Sequence, residues 1–81
     1  MFTVTANNYS NPKITVSITD LNFHMALRIA AILEGSFREV EVVSDETGEV
    51  YSQCYKNEET FCRRLSEGAA IDTIRRILAD R

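Results

Sequence analysis

The side chains able to do chemistry in this chain are few: one histidine, two cysteines, a set of carboxylates and two pairs of arginines. His24 lies four residues after Asp20 and four before Arg28, a spacing that would line the three along one helix face. A general base needs a partner and a pocket, and the sequence shows neither, so His24 reads as a surface or helix-lining residue. Cys54 and Cys62 are eight positions apart, one ending a predicted strand and the other in a predicted helix. They lack CxxC spacing and histidine-rich company, so a zinc site would be short of ligands. Two reduced, mostly buried thiols are expected instead. Glu39 and Glu41 are spaced like paired acids on one strand face, but alternating Glu on an exposed strand is the ordinary solubilising arrangement. With three glycines and one histidine, no glycine-rich phosphate loop, GxSxG elbow or metal-spaced cluster can be written. The expectation is a chain that is not an enzyme and takes no cofactor.

Binding is the remaining class. A candidate basic patch would consist of Arg63, Arg64, Arg75 and Arg76. Adjacent arginines on a helix splay by about 100°, so each pair puts only part of its charge on one face. The net charge of −3 opposes phosphate neutralisation, and no helix-turn-helix turn, ribonucleoprotein aromatic motif or basic arm is present. Nucleic acid is therefore a disfavoured partner. Charge is also unevenly spread: residues 34–59 carry a net of −6, whereas residues 60–81 carry +2. The expected molecule is a dipole, acidic at its second hairpin and mildly basic towards its C-terminal helices.

The elements that must position these groups follow from periodicity. Phe2, Val4 and Ala6 alternate with Thr3 and Thr5 as a first strand, and residues 7–12 form a loop rich in Asn closed by Pro12. Asn8, Tyr9 and Ser10 spell a glycosylation acceptor, which has no use in a cytosolic chain. Lys13 to Thr19 resumes the alternation, with Ile14, Val16 and Ile18 on one face. The period then changes to 3.6 from Leu21 to Leu33, with Thr19 or Asp20 as the cap and Gly35 as the stop. That helix is apolar over an unusually wide arc, so it is either covered by another element or used as an interface.

Val40 to Cys54 reads as a second hairpin, turning at Asp45, Glu46, Thr47 and Gly48, with Gly48 in the left-handed region. Pairing Asp45 with Glu49 sets Val43 against Tyr51 and Glu39 against Tyr55. One face then collects Val40, Val42, Val50 and Cys54; the other collects Glu39, Glu41, Val43, Tyr51, Gln53 and Tyr55. This second face is the candidate interface, carried by Val43, Tyr51, Tyr55, Glu39 and Glu41, because tyrosine combines contact area with a polar tip. Asn57 is a suitable cap for a short helix with Glu58 and Glu59 in its first turn, and a break at residues 66–68 precedes a last helix.

Together these features predict one α+β domain over residues 1–81. Its four-stranded antiparallel sheet, built of two hairpins, has helices packed on one face in the order ββαββαα. The chain lacks an apolar run of the ~20 residues that cross a bilayer, and its N-terminus lacks a basic region followed by an apolar stretch, so a cytoplasmic location without membrane contact is expected. The expected function is a small non-catalytic protein-interaction module that associates with itself as a homodimer. The alternatives are an acidic mimic of phosphates that inhibits a nucleic-acid-binding partner, or a weak nucleic-acid-binding accessory protein.

Overall fold

The computed structural model describes residues 1–8, 12–57 and 59–80. The expected loop residues Tyr9, Ser10 and Asn11, and Glu58 in the expected helical turn, lie outside the described residues. Four strands, β1 (Phe2–Asn7), β2 (Thr15–Leu21), β3 (Glu39–Ser44) and β4 (Val50–Tyr55), form one antiparallel sheet in the spatial order β2-β1-β3-β4. Two helices are found among the described residues, α1 (Phe23–Glu34) and α2 (Glu67–Ala79), so the element order is ββαββα. Each hairpin supplies one central and one edge strand, and the two halves meet along a β1–β3 ladder running from Phe2↔Ser44 to Asn7↔Glu39.

Alternation along the central strands creates the core. Val4, Ala6, Val40 and Val42 are essentially inaccessible and join Ala26, Ile29, Ala30 and Leu33 of α1, Phe37 and Ile74 of α2 in one apolar cluster. The intervening Thr3, Thr5, Glu41 and Val43 are half-buried on the opposite side of the pleat. Ile14, Val16 and Ile18, the apolar face expected of the second strand, pack against the margin of the cluster. α2 packs on α1, sending Ile74 into the core and Ile71 and Leu78 against its edge.

The passage from β2 to α1 departs from the expectation. Thr19 and Asp20 both stand opposite Thr3, because Val4 pairs with Ile18 while Phe2 pairs with Leu21. Asp20 takes up this extra residue at φ 60°, in the left-handed region that Asp tolerates better than most residues. The bulge turns Leu21 inward, where it is fully buried, so Leu21 ends the strand instead of starting the helix. Neither Thr19 nor Asp20 caps α1. Asn22 does, its Oδ1 accepting the Met25 N–H at 2.8 Å.

The segment before α2 also differs, since residues 59–65 contain no helix. The Asn57 carboxamide oxygen does accept the Thr60 N–H at 3.0 Å, and the Phe61 N–H bonds the Asn57 carbonyl at 3.1 Å, but only one turn forms. Tertiary contacts claim the chain beyond it. The Phe61 ring lies under Arg38 and Lys56, at 5.6 and 5.8 Å from the two cations. The Arg64 N–H bonds the Gly35 carbonyl at 2.8 Å, and the Ser36 hydroxyl donates to the Leu65 carbonyl at 2.8 Å. A short helix with only Phe61 and Leu65 to bury could not match these bonds against its cost of nucleation. Ser66 then caps α2, accepting from the Ala69 N–H at 3.1 Å, with Glu67 in the first turn.

Candidate interaction surface

The second hairpin carries the surface chemistry, and its register is the key to it. Glu39↔Tyr55, Val40↔Cys54, Glu41↔Gln53 and Val42↔Ser52 pair as the sequence predicts. Gly48 adopts φ 75°, and its N–H closes the turn on the Ser44 carbonyl at 2.8 Å. Between these two regions the register slips: Val43 pairs with Val50, leaving Tyr51 as a bulge without a cross-strand partner. The expected Asp45–Glu49 pairing gives way to Ser44, whose N–H bonds the Glu49 carbonyl at 2.9 Å, and two further expectations change with it. Val50 stands with Val43 and not with Val40 and Val42, and it is 47% exposed. Tyr51 leaves the Glu39, Glu41, Val43, Tyr55 set.

Released from strict alternation, the Tyr51 ring meets two phenylalanines. Its centroid is 5.5 Å from that of Phe2 and 5.7 Å from that of Phe23, both edge-to-face, while Phe2 and Phe23 lie 5.0 Å apart. Such contacts within 4.5–7 Å favour aromatic pairs beyond simple area burial, and they account for the bulge that the ladder accommodates. Phe2 comes from the N-terminal strand, Phe23 from the first turn of α1, and Tyr51 from the edge strand. The cluster stays open to solvent: Phe23 is 43% and Tyr51 51% exposed.

The wide apolar arc of α1 divides in the same place. Ala26, Ile29, Ala30 and Leu33 are buried, and Met25 and Ile32 lie against the core. Phe23, Leu27 and Ala31, spaced by four, form an exposed stripe that begins at the aromatic cluster. Part of the arc is thus covered and part is not.

The remaining candidates fall elsewhere. Tyr55 is on the sheet face with Glu41, and its hydroxyl donates to the Glu41 carboxylate at 2.7 Å. That bond raises the Tyr55 phenol above its usual range, and hydrogen bonding to Glu49, reinforced by the same carboxylate's charge, does so for Tyr51. The arginines do not gather into one patch. Arg63 bridges Glu67 at 3.2 Å, and Arg75 faces Asp72 at 3.9 Å. Arg64 lines a cleft between α1 and α2, whereas Arg75 lines a different one between β2 and α2. His24 is exposed on the first turn of α1. Both cysteines are free thiols, but Cys54 is only half-buried and Cys62 is exposed, so the expectation of burial fails for Cys62. Cys62 falls in the segment that does not become a helix and has no stripe to direct it inward. No group of three His, Cys, Asp or Glu side chains close enough to hold a metal occurs among the described residues, and no helix there is long and apolar enough to cross a membrane.

Phe2 and Phe23 are the functional candidates that sequence reasoning missed. Phe2 reads as a core strand residue and Phe23 as one more member of a helix stripe; the Phe2↔Leu21 pairing sets the two rings together, and the bulge at Tyr51 adds the third. Comparison of the chain with protein-family models, with curated proteins and with solved structures gave no match.

Proposed function

We propose that this protein is a non-catalytic protein-interaction module whose partner is a second copy of itself, joined through the Phe2, Phe23 and Tyr51 cluster and the adjoining Leu27. The observation that carries this reading is three aromatic rings in mutual contact, supplied by three separate elements, of which Phe23 and Tyr51 are left substantially open to water while Phe2 leans on the core. Tyrosine, here Tyr51, is a favoured anchor of interface centres, and contiguous exposed apolar surface marks association sites. A two-fold arrangement would bury the same patch on both copies.

The test is sedimentation or light scattering across a concentration series, with melting curves as a fold control. The native chain should dimerise, and Phe23→Ser and Tyr51→Ser should shift it to monomer while it stays folded. Tyr55→Ser, on the other sheet face, should leave the dimer intact. A strict monomer at high micromolar concentration, or dissociation by Tyr55→Ser and not by Tyr51→Ser, would refute the reading.

A further inference from the structure

A second surface feature is chemically unlike the aromatic cluster. α1, α2 and the stretch holding Arg64 and Leu65 border an open cleft of about 570 Å³, within the ~300–1,000 Å³ typical of small-molecule sites. Its third wall is built by close approach: the Arg64 N–H bonds the Gly35 carbonyl at 2.8 Å, and a Cβ at Gly35 would stand 3.4 Å from the Arg64 Cβ. Ala31, Ile32, Leu65 and Ile77 supply the apolar lining. Thr73 adds little polarity, because its hydroxyl proton is already donated to the Ala69 carbonyl at 2.9 Å.

The charged groups in this lining are two guanidiniums, Arg28 and Arg64, and none of the eight lining residues is acidic or aromatic. Arg63 and Arg75 have carboxylate partners, but Arg28 and Arg64 make no ion pair among the described residues. In a chain of net charge −3, two guanidiniums thus stand beside aliphatic walls without a carboxylate partner among the described residues. Guanidinium recognises carboxylate through paired hydrogen bonds, and walls without an aromatic ring suit a flexible hydrocarbon better than a flat ring.

We propose that the cleft between α1 and α2 binds an aliphatic carboxylate, its head group held by Arg28 and Arg64 together and its hydrocarbon laid along Ala31, Ile32, Leu65 and Ile77. This site is independent of self-association at the aromatic cluster. Backbone amide shifts of the full chain titrated with octanoate test it, with 1-octanol and octylammonium as probes of equal length. Octanoate should move the amides of Ile32, Gly35, Leu65 and Ile77, and both other probes should bind more weakly. Arg28→Gln and Arg64→Gln should each weaken octanoate by about two- to fivefold, the range of an exposed ion pair. The proposal is overturned if octanoate gives no localised shifts at millimolar concentration, if 1-octanol binds as well, or if the shifts centre on Phe2, Phe23 and Tyr51. Binding that both arginine variants retain in full overturns it too. Should either variant fail to fold, the three probes on the native chain decide the matter.

Discussion

Asn8 joins the two ends of the fold, and its replacement yields a prediction whose size can be worked out. Its side chain is almost wholly buried, with 3% of the residue exposed. Its Oδ1 accepts the Ile14 N–H at 2.6 Å, and its Nδ2 donates to the Glu67 carboxylate in the first turn of α2 at 3.0 Å. Asn8→Ala strands the Ile14 N–H and removes one donor from Glu67. An orphaned, partly buried donor costs about 1–3 kcal/mol and a hydrogen bond to a charged group contributes about 1.5–3 kcal/mol, so with partial rehydration the expected loss is ~2–4 kcal/mol. A domain of this size has only ~4–12 kcal/mol in total, and the melting temperature should fall by about 10–25 °C. Asn8→Asp separates the two bonds. The new carboxylate still accepts from Ile14 but confronts Glu67, so the variant should be at least as unstable as Asn8→Ala at neutral pH. It should recover towards the native melting temperature as acid protonates the pair. Urea unfolding at several pH values gives both quantities. A loss below about 0.5 kcal/mol for Asn8→Ala, or a pH-independent deficit for Asn8→Asp, would refute the bridging role.

Two further expectations concern turns and titration. Gly48 at φ 75° should resist substitution, with Gly48→Ala costing about 1–2 kcal/mol although nothing lies within 4 Å of the added Cβ; Gly68, equally unobstructed and helical, should give about 0.4–1 kcal/mol of added stability as Ala in the same denaturation assay. The phenols of Tyr51 and Tyr55 should ionise above the ordinary value of 10.0 when followed by tyrosinate absorbance, and Glu49→Gln and Glu41→Gln should lower Tyr51 and Tyr55 respectively. Because folding raises both phenols, their stabilising contribution is complete below the unfolded value and fades as pH rises through the folded ones.

Much of the fold is legible in the residues because alternation and turn chemistry act locally. The four strands, the left-handed Gly48 and the buried Val4, Ala6, Val40 and Val42 all follow from a period of two and the Asp45–Gly48 turn signal, although the turn closes on Ser44 and Glu49 and not on the expected Asp45 and Glu49. What escapes is decided by contacts distant in sequence. The slip at Tyr51 answers to Phe2 and Phe23, and the bulge at Asp20 answers to the space that receives Leu21. Asn57 shows the limit most plainly. Its capping bond to Thr60 forms as its residue type predicts, but Phe61 is drawn to Arg38 and Lys56 and the chain makes a single turn in place of a helix. Of the five residues expected to share an interface, the bulge moves only Tyr51, which is why the candidate surface shifts from the open sheet face to the helix corner.

The strand order β2-β1-β3-β4 also sets how the molecule must assemble in time. Each hairpin is local and can zip early, but an isolated pair of strands has no covered face and stays marginal. Protection from water comes only when Phe2 reaches Ser44 and Val4 reaches Val42, across about forty intervening residues. α1 shortens that span by coiling most of the connection between β2 and β3 into a compact rod, so the helix acts as the clasp that brings the halves within reach. The slow closure is therefore expected at the seam between β1 and β3. Truncating Val4 should slow refolding in a chevron measurement, whereas truncating the peripheral Val50 should mainly hasten unfolding.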